Sequence, residues 1–194
     1  MATPSTRGGG VQTPGGYKFE ITGGDLALDL ANTVDLRPTP EARELLRDWT
    51  DLVDWSVQVH AVDAAVARHL KSEGARRPEE AGAVLRRVRF LRELLFRLFS
   101  TAVAGRPQPP DDFATFNDAL SLALQRLRLA ATGDRYAWAW VHPDGALDVM
   151  IPPVVQAAAA LLIDAERLSR VRICEAGDRC AWLFLDLSRN RSRR

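Results

Sequence analysis

The sequence predicts a mainly α-helical fold: a helical domain carrying one β-hairpin late in the chain, followed by a small C-terminal element. Three observations lead there. Apolar residues recur at three- and four-residue spacing through most of residues 25–133, capping residues precede several of these stretches, and the period shifts to two only once, near Tyr136. With 194 residues, 46% of them hydrophobic and 26% charged, the chain has the dimensions of one ordinary domain. Its apolar content is enough to bury a core without disulfides or metal.

Residues 1–16 are rich in Gly, Pro, Ser and Thr and hold little to bury, so a disordered leader is expected there. "GGDLALDLANTVDLR" then places Leu26, Leu30 and Val34 four apart behind Asp25, a short helix with its N-cap. Thr39 and Pro40 are a cap and first position for a helix over "TPEARELLRDW". Short helices follow over "TDLVDWSVQVH" and, capped by Asp63, over "DAAVARHLKS". The strongest helix spans 78–104, where Leu85, Val88, Leu91, Leu95, Leu98 and Phe99 form an apolar stripe. That stripe suits ordinary core better than a dimer interface. "GRPQPP" ends it, and "DDFATFNDALSLALQRLRLAATG" reads as another amphipathic helix closed by Gly133. "YAWAWV", "HPDGA" and "ALDVMI" read as a hairpin over Tyr136–Ile151. A helix over "PPVVQAAAALLIDAERLSRV" and a short strand in "WLFLDLS" complete the order. The domain expected is 17–170, with 171–194 apart from it.

Several function classes find no support. No apolar run reaches the roughly 20 residues of a membrane span, and the N-terminus lacks the apolar segment of a secretory signal. Cytoplasmic location is the default expectation, and there both cysteines stay reduced. The sequence contains no G-x-S-x-G, H-E-x-x-H or P-loop, and His60, His69 and His142 have no evident carboxylate partner, so no enzyme is expected. The formal charge of +1 is unevenly spread: from Arg167 to Arg194, eight arginines face Glu175, Asp178 and Asp186, an excess of +5. Such an end is suited to a polyanion. Coding bias toward arginine (24 Arg, 2 Lys) accounts for the residue type, less well for the thinning of acids at one end.

Two segments and one residue group invite a functional reading. Cys174 and Cys180, the only cysteines, flank a turn containing Gly177. They form either half of a tetrahedral metal site or a pair of small unliganded thiols, since a structural zinc needs four donors. Arg179 and the tail arginines Arg189, Arg191, Arg193 and Arg194, interleaved with Ser and Asn, are the side chains that contact phosphates. Asp29 and Asn32, three apart, either face a pocket with the Trp138/Trp140 strand or bond nearby backbone.

Taken together, "GGDLALDLANTV", the Trp-x-Trp strand, "AAAALL" and "CEAGDRCAWLFLDLSRNRSRR" resemble the ABATE family, bacterial proteins regarded as stress-induced transcription regulators. The resemblance covers about residues 19–194. It implies a C-terminal CGNR zinc finger whose first cysteine pair matches Cys174 and Cys180. The second pair would follow an arginine pair like Arg193-Arg194, so the finger expected here is its N-terminal half, basic and incomplete. Zinc is then expected in the intact family finger and not as a stable guest of these two cysteines alone. The resemblance further implies DNA as partner through the basic finger, and leaves room for a small-molecule effector and a homodimer. The alternative is a small-molecule-binding domain whose finger is purely structural.

Overall fold

The computed structural model describes residues 9–175 and 180–188. In chain order they form β1 (Gly10–Thr13), β2 (Gly16–Phe19), α1 (Leu26–Ala31), β3 (Val34–Asp35), β4 (Arg43–Glu44) and α2 (Trp49–Gln58). Next come α3 (Ala64–Arg76), α4 (Pro78–Val103), α5 (Pro110–Leu124), β5 (Leu127–Thr132) and β6 (Arg135–Trp140). The last are α6 (Ile151–Ile163), α7 (Ala165–Leu168), β7 (Val171–Ile173) and β8 (Leu183–Leu185). The fold is mainly α, as expected. Its strands pair only as antiparallel two-stranded sheets: β1 with β2, β3 with β4, β5 with β6, β7 with β8.

Helix α4 is the axis of the molecule. Its 26 residues span about 39 Å at ~1.5 Å per residue, and Pro78 with Glu79 and Glu80 suits its N-terminal turn. Leu94, Leu95, Leu98 and Phe99 are essentially solvent-free, and α4 packs against α1, α2, α3, α5, β7 and β8. Polar groups bind its other side to the connection between α1 and α2. The buried Arg92 donates to both carboxylate oxygens of Glu44 (2.5 and 2.8 Å) and to Glu93 (2.9 Å). Arg37 pairs with Glu93 and lies 4.1 Å over the Phe96 ring, and Arg89 donates to the Leu46 carbonyl. Aspartates start the shorter helices. Asp25 caps α1 and Asp63 caps α3, as expected, and Asp48 caps α2.

Three local expectations are corrected. Residues 10–16, expected within the leader, are part of the β1–β2 hairpin, which packs on α2. There Gln58 accepts from the Phe19 amide (2.8 Å) and donates to the Tyr17 carbonyl (2.8 Å). The glycines that suggested disorder serve close approach instead: at φ 120°, Gly16 would place a Cβ 2.5 Å from an Asp54 oxygen. The segment "TPEARELLRDW" is not a helix. Thr39 Oγ1 accepts from the Glu41 amide in a turn, and Glu44 leaves for the Arg92 pair. The late hairpin pairs upstream rather than downstream. "LRLAAT", expected as the end of a helix, is β5, and Gly133-Asp134 is the two-residue loop joining it to β6.

Candidate metal centre and its docking joint

The residues Asp29 and Asn32 face backbone, on the side of α1 that meets β8. Asn32 Nδ2 donates to the Leu183 carbonyl (2.8 Å), and its Oδ1 accepts from the Leu183 amide (2.8 Å). One side-chain amide thus stands in for a strand, offering β8 the donor and acceptor that a neighbouring peptide would offer. Asp29 accepts from the Gly23 amide (2.7 Å), and the Gly23 carbonyl accepts from the Leu185 amide (2.8 Å). Trp182 completes the joint by donating its indole N–H to the Val34 carbonyl (2.9 Å). A Cβ on Gly23 would meet Asp29 and Leu28 atoms at 2.8–2.9 Å, so glycine is required there. Leu183, Phe184 and Leu185 are all buried, the two leucines in the same core as α1 and α4.

Burial raises the Asp29 carboxyl from 3.8 to about 6, against the lowering effect of the Gly23 amide. The folded pKa lies above the unfolded one, so folding favours the protonated acid. Its contribution is full below about pH 4 and is lost as pH rises through 6. The rise from 3.8 to about 6 corresponds to about 2–3 kcal/mol. Asp29→Asn keeps an acceptor for Gly23, and the expected result is loss of that stability slope between pH 4 and 6.5. Urea melts of both proteins across this range check it; an unchanged slope would place the titrating group elsewhere.

Beyond the joint, β7 and β8 carry the cysteines. The Cys174 amide donates to the Trp182 carbonyl (2.8 Å), which brings the hairpin ends together. Cys174 and Cys180 are free and half-buried, and they lie close enough for Cys174 to influence the ionisation of Cys180. Burial pushes the Cys180 thiol up to about 11, with Cys174 and the Asp35 charge acting in the same direction. Two adjacent thiols fit two corners of a zinc tetrahedron, at which they would be thiolates. Among the described residues no group of three or more His, Cys, Asp or Glu is placed to hold a metal ion. Cys174 and Cys180 would therefore supply two of the four donors that a structural zinc needs.

The other expected site residues lie elsewhere. Trp138 and Trp140 are on β6, opposite Leu129 and Leu127 of β5, with Trp138 well exposed. They do not join Asp29 and Asn32, whose helix packs on α4, α6 and β8. Arg179, Arg189, Arg191, Arg193 and Arg194 lie outside the described residues. Gly23 and Trp182 were not singled out by sequence reasoning. The glycine pair just before a capped helix, and a tryptophan two residues after a cysteine, were the available signals.

A helical body with a cysteine hairpin bonded into it defines a small protein built from a core domain and a two-cysteine hairpin element. Residues 24–165 match the ABATE family model, described as "putative stress-induced transcription regulator", and residues 170–194 match the CGNR zinc finger. The chain belongs to the ABATE family. No curated protein matches it. Among the described residues, no helix is long and apolar enough to cross a membrane.

Proposed function

We propose that this protein is a non-enzymatic, DNA-binding transcription regulator of the bacterial cytoplasm, in which the helical body positions a zinc-organised basic finger. The observation that carries the proposal is the pair of adjacent thiols at the tip of a hairpin hydrogen-bonded into the body. Cys174 and Cys180 hold two positions of the metal, whose binding shapes the arm. The arginines at 179, 189, 191, 193 and 194 contact phosphates, which sets position and affinity rather than sequence choice. Nearer the body, Arg167 pairs with Asp25 and Arg170 with Glu166, while Arg172 donates only to backbone carbonyls. Arg172 is thus the cation in this stretch without an acidic partner among the described residues.

The test compares this chain with a version carrying a complete four-cysteine finger. Bound zinc and duplex-DNA affinity are measured for each between 50 and 200 mM salt. About one zinc per molecule and an affinity falling steeply with salt are expected only for the complete finger, and Cys174→Ser is expected to abolish both. A zinc-loaded protein that ignores DNA would leave the finger a structural part of a small-molecule-binding domain.

A further inference from the structure

A groove of about 680 Å³ runs between α4, α5 and the start of α6, on residues that neither the cysteine hairpin nor its joint uses. Its walls are apolar: Phe90 and Leu94 from α4, Ala119 and Leu122 from α5, Ile151 and Pro152 from α6. Phe90 and Leu122 remain 60% and 62% exposed, large apolar side chains left facing open space. A soluble surface rarely leaves such side chains clustered without a partner.

The rim is cationic. Arg86, Arg87 and Arg126 stand against one carboxylate, Asp148, an excess of two positive charges. The buried Asp148 accepts from Arg126 (2.7 and 3.2 Å) and Arg87 (3.2 Å), which holds both guanidinium groups at the groove edge. The Arg86 side chain has no hydrogen bond or ion pair to any described residue. Pro152 and Pro153 at the start of α6 offer no N–H, so an anion would be held by the arginines rather than by that helix end.

We propose that this groove binds a small apolar carboxylate, its hydrocarbon or aryl body between α4 and α5 and its anionic head on Arg86 and the Arg87/Arg126 pair. The size separates this occupant from a peptide. The volume lies within the roughly 300–1,000 Å³ of small-molecule sites. A three-turn helix, about 10 Å across and 16 Å long, needs roughly 1,200 Å³. The charge separates it from a neutral or cationic lipid. The site stands whether or not the finger binds DNA.

The test uses the full chain and three probes with one tail: dodecanoate, dodecanol and dodecylammonium, titrated calorimetrically below the micelle concentrations of the two ions and the solubility limit of the alcohol. Dodecanoate is expected to bind once per chain, at least about tenfold more tightly than the other two. Ala119→Trp fills the groove and is expected to abolish binding. Arg86→Ala, which removes an exposed side chain bonded to no described residue, is expected to weaken it about tenfold and reduce its salt dependence. Cys174→Ser/Cys180→Ser is expected to bind as tightly as the parent, which separates this site from the finger. Equal binding of all three probes, or indifference to both groove substitutions, overturns the proposal. So does a concentration-dependent dimer that Ala119→Trp abolishes and dodecanoate leaves intact, because a second copy would then be the occupant.

Discussion

Asn32→Ala is expected to destabilise the protein by about 2–5 kcal/mol, because it strands two buried backbone groups at once. The Leu183 amide and carbonyl both use the Asn32 side chain, at a residue with no solvent exposure. Water cannot replace the lost partner without opening the joint, so each group bears a desolvation penalty of about 1–3 kcal/mol. For a chain of this size that is a fall in Tm of roughly 5–15 °C. Asn32→Asp separates geometry from charge. It keeps an acceptor for the Leu183 amide but loses the donor for its carbonyl, and it brings a carboxylate into a buried site. A loss similar to that of Asn32→Ala is therefore expected. Amide exchange gives the local readout. Protection at Leu183 and Leu185 should collapse while the α4 amides keep theirs, and uniform weakening would mean that β8 is no distinct joint.

The second large effect belongs to Arg92. Its guanidinium, 5% exposed, satisfies both oxygens of Glu44 and one of Glu93. Arg92→Met preserves much of the volume but leaves Glu44 and Glu93 facing a site with one cation fewer. Removing one member of a buried pair costs about 3–5 kcal/mol. Because both acids reach partly into solvent and Arg37 and Arg89 remain, about 2–4 kcal/mol is expected here. Glu44→Gln keeps one acceptor for Arg92, turns the other into an NH2 donor and removes the charge, while Arg92 keeps Glu93, so a smaller loss of about 1–2 kcal/mol is expected from it. Urea midpoints of the two variants check the order. A greater loss from Glu44→Gln would mean that the Glu44 carboxylate, and not the Arg92 guanidinium, anchors the contact.

Sequence and structure agree where a signal is local and repeated. The helix at α4 announces itself through six apolar residues on one stripe, and Asp25 and Asp63 cap the helices expected of them. Agreement fails where two local preferences compete. In "LRLAATGDRYAWAW" Leu127 continues the helical spacing of Leu120 and Leu124, yet stands two residues from Leu129 as in a strand. The decision comes from β6, which needs a partner, and from Gly133-Asp134, which supplies the turn. "TPEARELL" has a cap and a proline suited to a helix, yet Glu44 is drawn to Arg92, 48 residues on. The candidate site was legible as chemistry and not as geometry. The two cysteines and the polar pair Asp29/Asn32 stand out in the sequence. That Asn32 reaches across 151 residues to hold the cysteine-bearing strand is a tertiary fact, which no spacing within "LDLANT" encodes.

The two family matches meet between residues 165 and 170, yet Val171, Leu183 and Leu185 lie in the same core as α1 and α4. The seam between the inherited modules is therefore not a seam in cooperativity. A chain ending at that boundary would lack three core side chains and leave Asn32 and the Gly23 carbonyl unmatched, so body and hairpin should melt in a single calorimetric transition. The reciprocal holds by linkage: if the proposed finger binds zinc, the free energy gained there is shared by helices far from it. Heating the body would then report the occupancy of the finger.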